Sequence, residues 1–271
     1  MAESETMRAD AALAARGLAP SRERARALIE RGLATVNGLA IDKPARRVSA
    51  DDRLAVIGDT HPYVSRGGLK LEKALRVFGV DVNGLTCVDV GASTGGFTDV
   101  LLRNGASHVY AVDVGTAQLH ESLRGDPRVT VMEKVNARTL TGSMFPVVPA
   151  LAVMDVSFIS IRLILPALFE LLGPEGRVIS LVKPQFEAGR QRIGKGGIVA
   201  RADVHRDVLK EIVDFMPGFG WRVNRLDYSP ITGGDGNLEF LADIVSEARC
   251  DAPVDEAVIT NVVRMAHDAK L

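Results

Sequence analysis

Two positions in this sequence place an ionisable side chain directly after an apolar run. Asp155 follows Leu-Ala-Val-Met, and Lys183 follows Val-Ile-Ser-Leu-Val. An acid and a lysine side by side in a cleft are suited to holding a hydroxyl group and handling its proton. Either residue alone is an ordinary solvated strand end or salt-bridge partner. A third segment, residues 87–98 (CVDVGASTGGFT), reads as a strand, a glycine-rich turn and the start of a helix. Glycines let a backbone approach a ligand closely, and a helix N-terminus offers free N–H groups. The next apolar run ends in Asp113, an acid placed to bind ribose hydroxyls. A dinucleotide fingerprint would read G-x-G-x-x-G, with its second glycine against a pyrophosphate. Here Ser93 stands at that place, between Gly91 and Gly95-Gly96. This disfavours nicotinamide and flavin cofactors. S-adenosylmethionine has no pyrophosphate and tolerates the side chain. The plain alternative is a structural glycine turn.

These residues need a scaffold that brings strand ends together. From Gly84 onward, short β-rich runs alternate with helical ones. Strands are expected at 86–90, 108–112, 128–132, 150–154 and 177–182, and two more at 221–228 and 238–244. Helices are expected near 96–104, 116–123, 159–172 and 202–216. Such alternation gives βαβ units and a parallel sheet covered on both faces, with ligands outside the carboxyl ends of the strands. Asp155 and Lys183 then end neighbouring strands.

The first 58 residues form a different unit. A helix begins at Pro20-Ser21, with Ser21 as its N-cap, carries Ala25, Leu28 and Ile29 as its apolar stripe, and stops at Gly32. Asn37-Gly38 between two short apolar runs signals a hairpin, because a type I′ turn needs positive φ at both central residues. A last strand covers 53–57, and Gly58–Pro62 reads as a linker.

Composition sets limits. The chain has 271 residues, 46% of them hydrophobic and 25% charged, with a net charge of −1, so any basic surface must be local. Two distant cysteines, Cys87 and Cys250, give neither a disulfide framework nor a metal spacing, and a reduced, cytoplasmic setting is expected. The acidic start lacks the apolar segment of a signal peptide. No run reaches the ~18–20 apolar residues of a spanning helix.

Residues 65–75 (SRGGLKLEKAL), 88–102 (VDVGASTGGFTDVLL), 154–160 (MDVSFIS), 181–187 (LVKPQFE) and 233–241 (GGDGNLEFL) resemble the TlyA family of rRNA cytidine 2′-O-methyltransferases, also known as haemolysin A. The catalytic part is similar to the wider FtsJ group. That group usually has proline where this chain has Thr94, which favours the TlyA branch. The first 60 or so residues resemble the RNA-binding module of ribosomal protein S-four. The resemblance implies a Rossmann-like class I methyltransferase domain with a largely parallel seven-stranded sheet, preceded by a small α+β RNA-binding domain. The expected divisions are 1–58, a linker at 59–66, and 67–271.

The resemblance also implies a Lys-Asp-Lys-Glu tetrad, mapping onto Lys70, Asp155, Lys183 and Glu239. Neither Lys70 nor Glu239 stands out without it. The candidate cofactor contacts, with S-adenosylmethionine as cofactor, are Asp89, Gly91, Ala92, Ser93, Thr94, Gly95, Gly96, Phe97, Asp113, Asn136 and Asp155. No metal is required. Lys183 is the candidate base for the ribose 2′-hydroxyl. Burial and a second cation, Lys70, favour its neutral form, while Asp155 and Glu239 oppose that.

Between Arg16 and Arg47, eight cations face three acids. Arg16, Arg22, Arg26, Arg31 and Arg46, with Arg66 further on, are the candidate RNA contacts. A second basic and glycine-rich segment, Lys183–Arg201, has the composition of a mobile lid over RNA, or of a plain surface loop. Few aromatics are interleaved, so phosphate and shape recognition of structured RNA fits better than stacking. The expected partner is ribosomal RNA or a ribosomal subunit. The competing readings are a small-molecule or protein methyltransferase, a membrane-lytic haemolysin and a non-catalytic assembly factor.

Overall fold

The computed structural model describes residues 6–19, 21–30, 32–56, 61–233 and 236–269. The chain divides into two compact units, Met1–Pro62 and Tyr63–Leu271. Arg31, named above, lies outside the described residues, as do Pro20 and positions 57–60, which end the expected strand and begin the expected linker.

The first unit contains β1 (Met7–Arg8), α1 (Ala9–Ala15), α2 (Arg22–Glu30), β2 (Ala34–Val36), β3 (Leu39–Ala40), β4 (Arg47–Val48) and β5 (Leu54–Val56). The Ser21 hydroxyl accepts the Arg24 N–H at 3.1 Å and caps α2. Asn37 and Gly38 both have positive φ, and β2 pairs antiparallel with β3 and β5. The β1–β4 pair and α1 carry no strong periodic signal and were not expected. Leu13, Ala25, Leu28, Ile29 and Ile41 fill this small core.

The second unit contains α3 (Gly67–Phe78), β6 (Thr86–Val90), α4 (Gly96–Arg103), β7 (His108–Asp113), α5 (Glu121–Arg124), β8 (Val129–Glu133), β9 (Leu151–Met154), α6 (Leu165–Leu172), β10 (Arg177–Val182), α7 (Pro184–Glu187), α8 (Ala202–Phe215), β11 (Trp221–Tyr228), β12 (Phe240–Ser246) and α9 (Glu256–Asp268). One seven-stranded sheet has the order β11-β12-β10-β9-β6-β7-β8. Strands β6 to β10 run parallel, and β12 is antiparallel to both its neighbours. Side chains alternate between two cores, as the pleat requires. Val88, Val90, Met154 and Val178 face α6, α8 and α9. Cys87, Val109, Val153 and Ile179 face α3 and α4.

Three expectations need correction. The helix expected at 116–123 is only Glu121–Arg124. Upstream, the N–H groups of Gly115 and Ala117 bond to the carboxylates of Asp113 and Glu133, and Ala117 at φ +55° and extended His120 are outside helical geometry. The helix expected from Ile159 begins at Leu165. Ser160 caps a separate short turn, Ile161–Leu163, and the buried Glu187 accepts both the Ser160 hydroxyl and the Ile161 N–H. The strand expected from Leu238 begins at Phe240, so Glu239 precedes it. Helices α3 and α9, both amphipathic, were not among the expected elements.

α8 and α9 are joined by a histidine pair. Fully buried His205 and exposed His267 approach to 2.9 Å. Burial, reinforced by the charge of His267, lowers the His205 pKa to about 4. An unfolded histidine takes up a proton near its ordinary value, about 6.5, so stability falls as pH drops from there towards 4. At pH 5 the expected loss from this group is roughly 2 kcal/mol relative to pH 7. Urea unfolding at the two pH values should show it, and His205→Leu should shrink the difference.

Candidate active site

Helix α3 and the positions adjoining the ends of strands β9, β10 and β12 each contribute one charged residue to a single cluster. Lys183, immediately after β10, places Nζ 2.5 Å from Asp155 Oδ1 and donates to Ser157 Oγ at 3.0 Å. Lys70, on α3, lies 2.5 Å from Glu239 Oε2 and 3.8 Å from Asp155 Oδ2. Asp155 therefore stands between the two lysines. Glu239 is 3% exposed. Its burial, with help from the Asp155 charge, raises its pKa, and the charges of Lys70 and Lys183 oppose that rise. Four charges so enclosed are tolerable only because each has an opposite neighbour.

β9 and β10 bring Asp155 and Lys183 together as parallel neighbours. Glu239 arrives from the other direction. Because β12 is antiparallel, its first residues lie at the carboxyl end of the parallel strands, where Val182 is paired with Phe240. Lys70 is delivered by a helix that packs closely on α4. A Cβ built on Gly96 would lie 2.3 Å from the Ser65 hydroxyl and 2.9 Å from the Gly68 nitrogen.

Beside this cluster is a cleft of about 540 Å³. Gly91, Ser93, Asp113, Asn136 and Asp155 line it, together with apolar groups such as Val114, Val135, Val156 and Ile159. Asp113 is fixed at the end of β7, where its carboxylate accepts N–H groups from Ser93 at 2.8 Å and Gly115 at 2.7 Å. A carboxylate has about four acceptor sites, so about two remain for ligand hydroxyls. Gly91 has φ +81° and no room for a side chain, because a Cβ would lie 2.7 Å from the Asp155 carbonyl oxygen.

The other candidate cofactor residues are placed behind this wall. Asp89 is buried and accepts the Thr98 hydroxyl at 2.6 Å. Burial, opposed by that bond, pushes its pKa up to about 7. Ala92 and Phe97 belong to the core around α4. Gly95 faces Leu119 and Leu123, and Gly96 faces Ser65. Thr94 accepts the His120 N–H through its carbonyl oxygen. These residues shape the turn without lining the cleft.

The arginines of the first unit mostly hold their own backbone or nearby acids. Arg16 donates to the carbonyls of Ser49, Ala50 and Asp52. Arg22 is 3.3 Å from Asp10, Arg26 is 2.8 Å from Glu30, and Arg46 is 4.0 Å from Asp42. All four side chains keep solvent-exposed surface. In the second unit Arg66 is exposed just ahead of α3.

Two site features went unread in the sequence. Phe158 is 92% exposed at φ +64°, lines the cleft, and has its ring 5.2 Å from that of Phe186. Glu187 holds the segment after Asp155 in place. The strained exposed aromatic had no sequence signal. The acid did have one, since it closes the LVKPQFE run.

The sequence pattern of FtsJ-like methyltransferases matches residues 63–243, two thirds of the chain, and that of the S4 domain matches residues 7–54. The chain belongs to the FtsJ-like methyltransferase family, and its sheet is the Rossmann-like sheet of that fold. Its similar proteins lie in the TlyA branch. It is 44% identical to the 16S/23S rRNA (cytidine-2′-O)-methyltransferase TlyA of Mycobacterium tuberculosis, over 86% of this chain and 87% of that one. It is 49% identical to the Bacillus subtilis protein YqxC, over 97% of this chain and 95% of that one. Among solved structures, a Streptococcus thermophilus protein bearing the name hemolysin matches with a TM-score of 0.77 at 46% identity, over 98% of this chain and 97% of that one.

Gly91→Ala is expected to cost about 1–3 kcal/mol, the usual range for forced overpacking, because the new methyl meets the Asp155 carbonyl. Denaturant unfolding measures this directly. A change under about 0.5 kcal/mol would mean that the turn yields freely.

Proposed function

We propose that this chain transfers a methyl group from S-adenosylmethionine to the 2′-hydroxyl of a cytidine in ribosomal RNA, with the S4 domain contributing RNA contacts. The observation that carries the reading is the double membership of Asp155. It lines the nucleoside-sized cleft and it bridges the two lysines. Cofactor and hydroxyl would therefore meet at one residue. The rRNA cytidine specificity follows the TlyA relative.

The cleft suits this cofactor. Asp113 offers acceptors for ribose hydroxyls, the apolar walls suit an adenine ring, and Gly91 leaves the backbone bare. Asn136 lines the same wall. When bound, S-adenosylmethionine supplies a methyl group already activated by its sulfonium. The chain's own task is then to align the 2′-oxygen and remove its proton. Lys70 and Lys183 hold the oxygen, and Asp155 and Glu239 hold the lysines. Methyl transfer would leave the 2′-oxygen without its proton, and Lys183 Nζ would take that proton up after giving its own to solvent. Phe158 presents an open aromatic face at the cleft mouth on which the target base can stack. The S4 domain supplies exposed arginines to the phosphate backbone.

Of the described residues, no helix is long and apolar enough to cross a membrane, and no group of three or more His, Cys, Asp or Glu side chains could hold a metal ion.

Lys183→Ala should lower methyl transfer to ribosomal RNA by about 10²–10⁴-fold while calorimetric affinity for S-adenosylmethionine stays within about threefold. Lys183→Arg keeps the charge and cannot accept a proton, so it should be equally inactive. An active arginine variant would leave Lys183 an electrostatic role only. A wild-type protein that binds no S-adenosylmethionine would remove the assignment itself.

A further inference from the structure

The basic segment after α7 has more order than its composition suggests. It starts six residues after Lys183 with Gly189 and returns to α8 through two short turns, Arg190–Arg192 and Lys195–Gly197. Gly194 N–H bonds to the Ile198 carbonyl at 2.9 Å and closes the loop on itself. Arg192 is tied to the Ala188 carbonyl at 2.6 Å and to Glu211 on α8 at 2.8 Å. The far limb is held by one side chain. Asn237, 1% exposed, accepts the Val199 N–H at 2.9 Å and donates to the Gly197 carbonyl at 3.1 Å. Its own carbonyl accepts the Gly233 N–H at 2.9 Å. Asn237 is two residues from Glu239.

The cations of this segment divide sharply. Lys183 is in the tetrad, Arg192 is bound to α8, and Arg201 pairs with Asp203. Arg190 and Lys195 are exposed and have no acidic partner among the described residues. A loop fixed at both limbs, with two cations facing water, resembles a pre-shaped anion grip more than a swinging lid.

Resting on the methyltransferase reading, we propose that residues 189–200 form a fixed strap that grips RNA phosphates through Arg190 and Lys195. Asn237 is the positioning residue that ties this strap to Glu239. One limb of the strap follows Lys183 and the other is bonded beside Glu239. Phosphates held by the strap are thereby registered against the hydroxyl-handling cluster. Removing an amide that makes two bonds to one loop frees the exposed Gly197 carbonyl and leaves the buried Val199 N–H without its partner.

The test uses the full chain, ribosomal subunits purified from cells lacking the protein, and tritiated S-adenosylmethionine. The double variant Arg190→Gln/Lys195→Gln should raise the KM for subunits about tenfold. It should lower the log–log salt slope of subunit binding by about 2, one per phosphate contact. Its calorimetric affinity for S-adenosylmethionine should stay within about twofold. Asn237→Ala should raise the same KM and also lower kcat about tenfold or more. Combined with the double variant, it should raise KM by less than the product of the separate effects, because both act through one strap. An unchanged salt slope in the double variant overturns the strap, and multiplicative KM effects overturn the tie through Asn237. If Asn237→Ala loses cofactor binding, the double variant alone still decides whether the strap grips phosphate. Wild-type protein that methylates no subunit RNA would instead refute the proposed function.

Discussion

Two lysines and two carboxylates share one largely enclosed space, and each is stable there only while its opposite neighbours are present. Removing one partner leaves a charge without compensation, which costs several kcal/mol where water cannot replace it. The cluster therefore constrains four stretches of chain at once. α3 must lie against α4 closely enough to extend Lys70 inward. β9 and β10 must be adjacent and in register. β12 must run against its neighbours so that its beginning, rather than its end, reaches the site. The glycines at 91 and 96 are the steric side of the same requirement, since backbone segments carrying the charges pass within side-chain distance of one another.

Much of this arrangement is legible in the sequence. Alternating apolar runs gave the strands that carry Asp113, Asp155 and Lys183, because a buried parallel strand leaves a strong pattern and a polar residue at its end interrupts that pattern visibly. Lys70 and Glu239 were legible only through family resemblance. Lys70 lies on the buried face of α3 beside Leu71, Ala74 and Phe78, and as a charged residue in a periodic pattern it reads as surface. Glu239 sits in an irregular approach to β12, where the partner that identifies it is 169 positions away. The missed boundaries have a common cause. At 114–120 and 159–164, carboxylates of Asp113, Glu133 and Glu187 hold the backbone in non-helical turns, with Ala117 at positive φ and His120 and Ser160 extended. Such competition depends on side chains brought from other strands and leaves no local signal.

The basic segments show the opposite failure, since composition overstates what is available. Of the cations between Arg16 and Arg47, several bind carbonyl groups or acids of their own unit, and of the five between Lys183 and Arg201 two are exposed without an acidic partner among the described residues. A count of lysines and arginines measures the charge a surface could present. The hydrogen-bonding pattern shows how much of it is already committed to holding the fold.

The antiparallel placement of β12 also affects when the molecule becomes complete. Ribosomes build the chain from its amino end, so Lys70, Asp155 and Lys183 are made well before Glu239. At that stage the cluster would contain two positive charges and one negative. The last acid arrives with the final hairpin, which also covers Val182 and joins the edge of the sheet. Charge balance and sheet closure are thus reached in the same step, and a growing chain has no finished centre to present to the RNA around it.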